Sequence, residues 1–205
     1  MVDKWFVRDN TSYEMLKKVG TRYLKLMPDI VMGLNKEDYV SVDGNSIAIS
    51  VTSVDKDKNS LINPEDYINE IAQIAQHYID SGRTVNFVSF EDRFDLKPIN
   101  KIISLLKKSE GKVSVIENNG KNVIEAISRA DVVVATRFHA MVLGALFEKK
   151  QIIYSYNNKT TQFAKTYGFK TYEVTGTSLE KQPFLTKFEV HSLEFASSYG
   201  KLVQS

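Results

Sequence analysis

The sequence predicts an α/β protein built on a doubly wound parallel sheet, of the Rossmann-like kind. From Ser46 onward short β-branched runs alternate with amphipathic helical runs, as parallel βαβ units do. The run Val132, Val133, Val134, Ala135 is apolar without alternation, which implies burial on both faces of a sheet covered by helices. A chain of 205 residues with 42% hydrophobic and 11% aromatic content can fill a core of that size.

Each element follows in order. Residues 46–51 (SIAISV) read as the first strand of the series, and residues 63–82 as the helix behind it. Asn63 suits the N-cap, Pro64 the first helical position, and Glu65 and Asp66 the positive end of the helix dipole. Tyr67, Ile68, Ile71, Ile74, Ala75 and Tyr78 share one face, and Gly82 suits the stop. Residues 84–90 form the second strand and 98–108 a helix burying Ile99, Ile102, Ile103 and Leu106. Residues 113–116 are the third strand, 122–129 a short helix and 131–135 the fourth strand, with a helix opened by Thr136 and Arg137. Residues 151–156 close the series ahead of a helix over 160–167.

The first 45 residues are less regular. They read as a strand end (KWFVRD), a short helix over 11–19 and an extended segment over 22–31 broken by Pro28, and are expected to be a linker or the remnant of another lobe. Three parts result: 1–45, a Rossmann-like domain over 46–178, and a tail over 179–205 expected to pack a helix on that domain.

Composition removes several classes of function. With 27 basic and 25 acidic residues, a net charge of +2, the balance gives no reason to expect a nucleic-acid or membrane-surface partner. The absence of cysteine rules out disulfides, thiolate nucleophiles and Cys-ligated metals. No signal-like start and no run of about 20 apolar residues occurs, so the expectation is a cytoplasmic protein without a membrane span. No zinc or nucleotide-loop signature is present, and no metal is expected.

Ligands of doubly wound sheets bind outside the carboxyl ends of the strands. Arg137 and His139 stand at such an end, after the most apolar strand, with Thr136 as a plausible N-cap. A helix start offers amides and a positive dipole to an anion, a guanidinium adds a planar fork, and an imidazole can also carry a proton. Residues two apart on a helix do not share a face, so position alone is equally consistent with one surface residue beside one that satisfies a core hydrogen bond. Glu91, Asp92, Arg93 and Asp95 lie at a second strand end; one of these carboxylates can orient a sugar hydroxyl or the imidazole, although acids at such turns more often cap helices. Asn157, Asn158 and Lys159 occupy a third turn, and Arg8 follows the first apolar run, where Asp9 or Asn10 can cap the next helix and leave Arg8 on the surface.

Taken in order, VRDNTSYEML, MPDIV, SFEDRFD, ADVVVATRFHAMVLGAL and YSYNNKTTQFAKTYGF resemble the later motifs of polysaccharide pyruvyl transferases, across residues 7–169. The R-x-H-A element is the most specific. The resemblance implies the C-terminal lobe of a two-lobed, glycosyltransferase-B-like enzyme that moves the enolpyruvyl group of phosphoenolpyruvate onto a pair of sugar hydroxyls. The product is a pyruvate ketal in a surface polysaccharide, such as an exopolysaccharide, capsule or cell-wall polymer. It implies Arg137 and His139 at the phosphoenolpyruvate site, Arg8 as a second phosphate-facing arginine, and Asp92, Tyr156 and Lys159 at further motif positions, with Thr136 beside them. No cofactor is implied beyond phosphoenolpyruvate as donor; the acceptor is a saccharide or lipid-linked oligosaccharide, and a homo-oligomer is compatible. Two features depart from the family pattern: no N-terminal lobe motif is present, and Asn157 stands where Asp is common. The chain is therefore expected to be the second half of such an enzyme. The competing readings are a glycosyltransferase of the same shape using a sugar nucleotide, and a non-catalytic binding domain.

Overall fold

The computed structural model of the chain describes residues 4–39, 44–56, 63–155, 158–166 and 171–172. Strands β1 (Trp5–Val7) and β2 (Leu24–Leu26), with helix α1 (Asn10–Lys18) between them, form a small parallel pair of their own. Asp9 starts α1, its carboxylate accepting from the Ser12 amide at 2.7 Å and the Ser12 hydroxyl at 2.8 Å. The stretch expected to be extended over 22–31 is thus a strand followed by a 3-10 turn over Ile30–Gly33, which the Asp29 carboxylate caps.

The main sheet holds β3 (Ser46–Ser50), β4 (Thr84–Val88), β5 (Val113–Ile116), β6 (Val132–Ala135), β7 (Lys150–Tyr154) and β8 (Thr171–Tyr172). Every pairing is parallel, in the order β5-β4-β3-β6-β7-β8. The chain moves outward from β3 through β4 to β5, then crosses to the other side of β3 and continues outward from β6. The sheet reverses its winding direction between β3 and β6, which is where such folds leave a crevice.

Strand alternation divides the core. Ile47, Ile49, Val132, Val134, Ile152 and Tyr154 face helices α2 (Pro64–Asp80) and α3 (Asp92–Leu105). Ala48, Val133, Ala135 and Ile153 face α4 (Gly120–Arg129) and α5 (Phe138–Leu146), with Phe163 and Ala164 of α6 (Asn158–Thr166) in the same layer. The expected apolar face of α2 is buried throughout, each large side chain contributing about 1.5–3 kcal/mol. Asn63 caps α2 through the amides of Glu65 and Asp66, and Gly82 takes a left-handed φ of 86° just past its end. Helix α5 is buried from Ala140 to Leu146, and Gly144 lets it approach β7: a Cβ there would lie 2.7 Å from Gln151 Cδ.

Helix α3 departs from expectation. It begins at Asp92, not Pro98, and carries the proline inside it. A proline leaves the carbonyl four residues earlier without its helical donor. Here that carbonyl, on Phe94, accepts the Ser53 amide at 3.1 Å and the Ser53 hydroxyl at 2.8 Å, so the loop after β3 compensates for the break. The expected tail helix over 179–205 lies outside the described residues, and among those described no helix is long and apolar enough to cross a membrane.

Candidate functional site

The crevice between β3 and β6 is closed at its base by Ser50, the last residue of β3. Its carbonyl accepts the Thr136 amide at 3.2 Å and its hydroxyl accepts the Arg137 amide at 3.3 Å. The expectation that Thr136 caps α5 is corrected. Strand alternation sends Ala135 to the α5 face and Thr136 to the α2 face, where it is fully buried and its hydroxyl meets Tyr67 Oη at 2.7 Å. Arg137 occupies the cap position in an extended conformation, and no side chain caps the helix.

Arg137 and His139 do not meet each other as one clamp; Arg137 is held by Asp95, while His139 lies near a different carboxylate, Asp29. The Arg137 Nε approaches Asp95 Oδ1 at 2.9 Å and Oδ2 at 3.1 Å, and its Nη2 also contacts Asp95 and stands 3.8 Å from Glu91. Asp95 is completely buried, and its Oδ2 also accepts the amides of Phe90 and Glu91 at 2.9 and 3.0 Å. That geometry fixes the early start of α3 and ties the end of β4 to the turn after β6. The Arg137 side chain keeps 18% exposure, and among the described residues its Nη1 has no hydrogen-bond partner.

His139 lies on the first turn of α5 with its side chain 47% exposed, and its Nε2 is 3.9 Å from Asp29 Oδ1. Asp29 also pairs with Arg8, which follows β1. The Arg8 guanidinium rests 4.4 Å over the Phe138 ring, and Phe138 meets His139 edge to face at 5.4 Å. The N-terminal unit thereby delivers Arg8 to the start of α5 beside His139, and a cavity of about 600 Å³ within that unit is lined by Arg8, Ser12, Met27 and Asp29 but by neither His139 nor Arg137. A smaller cavity of about 310 Å³, lined by Thr52, Tyr67, Lys97, Pro98 and Lys101, lies on the α2–α3 side and includes neither His139 nor Arg137.

Of the other expected motif positions, only Asp92 has a described side chain, and its hydrogen bonds run to the ends of β4 and β5. Asp92 accepts the Ser89 hydroxyl at 2.6 Å and the Asn118 amide at 2.9 Å, joining the ends of β4 and β5; these hydrogen bonds hold its carboxyl below the usual carboxylate range. Tyr156 and Asn157 lie outside the described residues, as does the side chain of Lys159, whose backbone is in α6. Sequence reasoning missed Asp29, which stood in the quoted MPDIV stretch, and did not single out Asp95 among its acidic neighbours. Among the described residues, no three His, Asp or Glu side chains gather as a metal-holding group.

Comparison with known proteins places the chain in a class. The profile of the polysaccharide pyruvyl transferase family matches residues 3–158, so the chain belongs to that family of transferases. No curated protein matches the sequence. In fold, the chain is similar to UDP-GlcNAc 2-epimerase from Methanocaldococcus jannaschii, with a TM-score of 0.58 and 13% identity over 98% of this chain and 61% of the epimerase. The same enzyme in complex with UDP-GlcNAc and UDP gives a TM-score of 0.56 at 12% identity, over 98% and 60% of the two chains. The Neisseria meningitidis epimerase bound to UDP-GlcNAc gives 0.50 at 12%, over 98% and 53%. At these identities the likeness establishes the α/β Rossmann-like fold alone. The chain spans about three fifths of the length of the M. jannaschii epimerase.

Proposed function

We propose that the start of α5 holds the phosphate of phosphoenolpyruvate, and that the chain is the C-terminal lobe of a cytoplasmic enzyme that transfers the enolpyruvyl group to a sugar diol. The observation that carries this is the meeting of Arg8 and His139 around Asp29 and Phe138 at a helix start that no side chain caps, with Arg137 at the cap position, in a member of the pyruvyl transferase family. Helix N-termini favour anions, and guanidinium groups match phosphate oxygens.

The chemistry needs a proton donor and a positive seat for the leaving group. Protonation of the methylene carbon makes C2 electrophilic. One sugar hydroxyl adds there and loses its proton, phosphate departs with the C2–O bonding pair, and the second hydroxyl closes the ketal as its proton passes to the departing phosphate. His139 would supply the proton, or would bind the phosphate while an acid from the other lobe supplies it. Arg8 and the Arg137 Nη1 would balance the phosphate, and Tyr156, Lys159 and Asp92 remain expected contributors on the resemblance to the family alone. No cofactor takes part; the acceptor is a saccharide or lipid-linked oligosaccharide.

The β1–α1–β2 unit supports the expectation that residues 1–45 belong to a second lobe. A two-stranded sheet is marginal alone, and parallel sheets are normally covered on both faces. Trp5, Phe6, Met15, Val19, Tyr23, Leu26 and Ile30 are all exposed in this unit. A further α/β lobe, bearing the acceptor site, would cover them.

A thermal-shift panel tests the reading. Phosphoenolpyruvate at 100 times its dissociation constant should stabilise the protein by roughly 2.7 kcal/mol, while UDP-, GDP- and CMP-sugars leave it unchanged. Stabilisation by a nucleotide sugar without phosphoenolpyruvate would replace pyruvyl transfer with glycosyl transfer, and no response to any of them would favour a non-catalytic domain.

A further inference from the structure

Asp29 is almost wholly buried, at 3% exposure, where the N-terminal unit meets α5. Its Oδ1 accepts the Val31 amide at 3.1 Å and lies 3.9 Å from His139 Nε2, while its Oδ2 pairs with Arg8 Nη1. Capping the 30–33 turn requires only one neutral oxygen, which Ser or Asn supplies equally well. A buried carboxylate is far more costly to place and persists where charged partners surround it. Those partners come from separate segments: the Arg8 guanidinium and, when it is protonated, the His139 imidazole.

We propose that Asp29 is a positioning residue that fixes the Arg8 guanidinium and the His139 imidazole relative to one another at the start of α5. The inference rests on the assignment of Arg8 and His139 to the phosphoenolpyruvate site. A buried aspartate that orients an imidazole is an established device in proton-transfer sites, and its loss disturbs ring orientation more than gross structure. Asp29 also carries a negative charge beside an anion seat, so its removal has two separable effects. Neutralisation leaves more positive charge for any anion, including inorganic phosphate, whereas loss of orientation weakens the ligand whose shape needs both groups in register. Phosphoenolpyruvate is such a ligand, with a phosphate at one end and a carboxylate and methylene at the other.

The test compares wild type with Asp29→Asn, which keeps an oxygen for the Val31 amide, and with Asp29→Ser, a second neutral cap for use if the first variant does not fold. In ¹⁵N-histidine-labelled full chain, which has only His77, His139 and His191, the ring signals of His139 should move in the variant while those of His77 stay in place. Calorimetric titrations should show the preference for phosphoenolpyruvate over inorganic phosphate falling about tenfold, the scale of a lost orienting partner. Unmoved His139 signals overturn the inference whatever the titrations show, and so does an unchanged preference. If wild type binds neither ligand but the His139 signals still move, the phosphoenolpyruvate assignment fails and the orientation of His139 by Asp29 stands.

Discussion

Asp95 grips Arg137 from two oxygens, with Nε at 2.9 and 3.1 Å, and the pair closes the gap between the end of β4 and the turn after β6. A carboxylate with no exposed surface depends on that guanidinium and on two backbone amides. Removing one partner of a buried pair leaves the other charge uncompensated, which typically costs about 3–5 kcal/mol. Arg137→Ala and Asp95→Ala should each lower stability on that scale in urea unfolding. Arg137 is thus a brace as well as the proposed anion contact, and activity lost in Arg137→Ala must be read beside its stability.

Tyr67 and Thr136 share a hydrogen bond of 2.7 Å sealed in the α2-facing core. Tyr67→Phe or Thr136→Val alone removes this buried hydrogen bond, a loss of about 1–3 kcal/mol. The double variant should recover much of that loss, because both polar groups are then gone. Denaturation midpoints of the three variants form the cycle that checks it.

The pH dependence of stability has an alkaline limb at Tyr78. Burial pushes its hydroxyl up to about 12 from the ordinary 10.0, with Arg83 opposing and Asp131 assisting. A group whose folded value is raised contributes stability that is complete below the unfolded value and is lost as pH rises through the folded one. Stability should therefore fall between pH 10 and about 12, and phenolate absorbance should show Tyr78 ionising late, a phase that Tyr78→Phe removes, together with loss of near-UV dichroism. Asp92 acts in the opposite sense. Its lowered value adds stability above the unfolded carboxylate range that is lost on acidification, and Asp92→Asn should flatten that acid limb.

The exposed side chains of Tyr23 and Ile30, at 77% and 69%, sit in the unit read as the edge of a second lobe. The chain alone should self-associate or bind a hydrophobic dye through this face. Tyr23→Lys with Ile30→Lys should reduce both without changing the far-UV dichroism, as sedimentation and dye titration would record.

Much of the main sheet was legible because its signals are local. Asn63, Pro64 and the apolar spacing from Tyr67 to Tyr78 determine α2 without help from elsewhere. The start of α3 was not legible: Pro98 read as a helix beginning, and only Ser53, 41 positions away from Phe94, explains how the helix accommodates it. Arg137 and His139 were found from their place after β6, whereas their carboxylate partners come from α3 and from the segment after β2. Separations of 42 and 110 residues, from Asp95 to Arg137 and from Asp29 to His139 (139 − 29), leave no periodic trace in a sequence. The resemblance drew attention to the MPDIV stretch but not to its carboxylate as the bridge between Arg8 and His139.

A crystal structure of the full chain soaked with phosphoenolpyruvate bears most directly on the assignment of the α5 start as a phosphate seat. The expected density places phosphate oxygens within hydrogen-bond distance of the first amides of α5, the Arg8 guanidinium and the Arg137 Nη1, with the methylene carbon facing His139. Density instead between Lys97 and Lys101 in the α2–α3 cavity, with the α5 start empty, would contradict it.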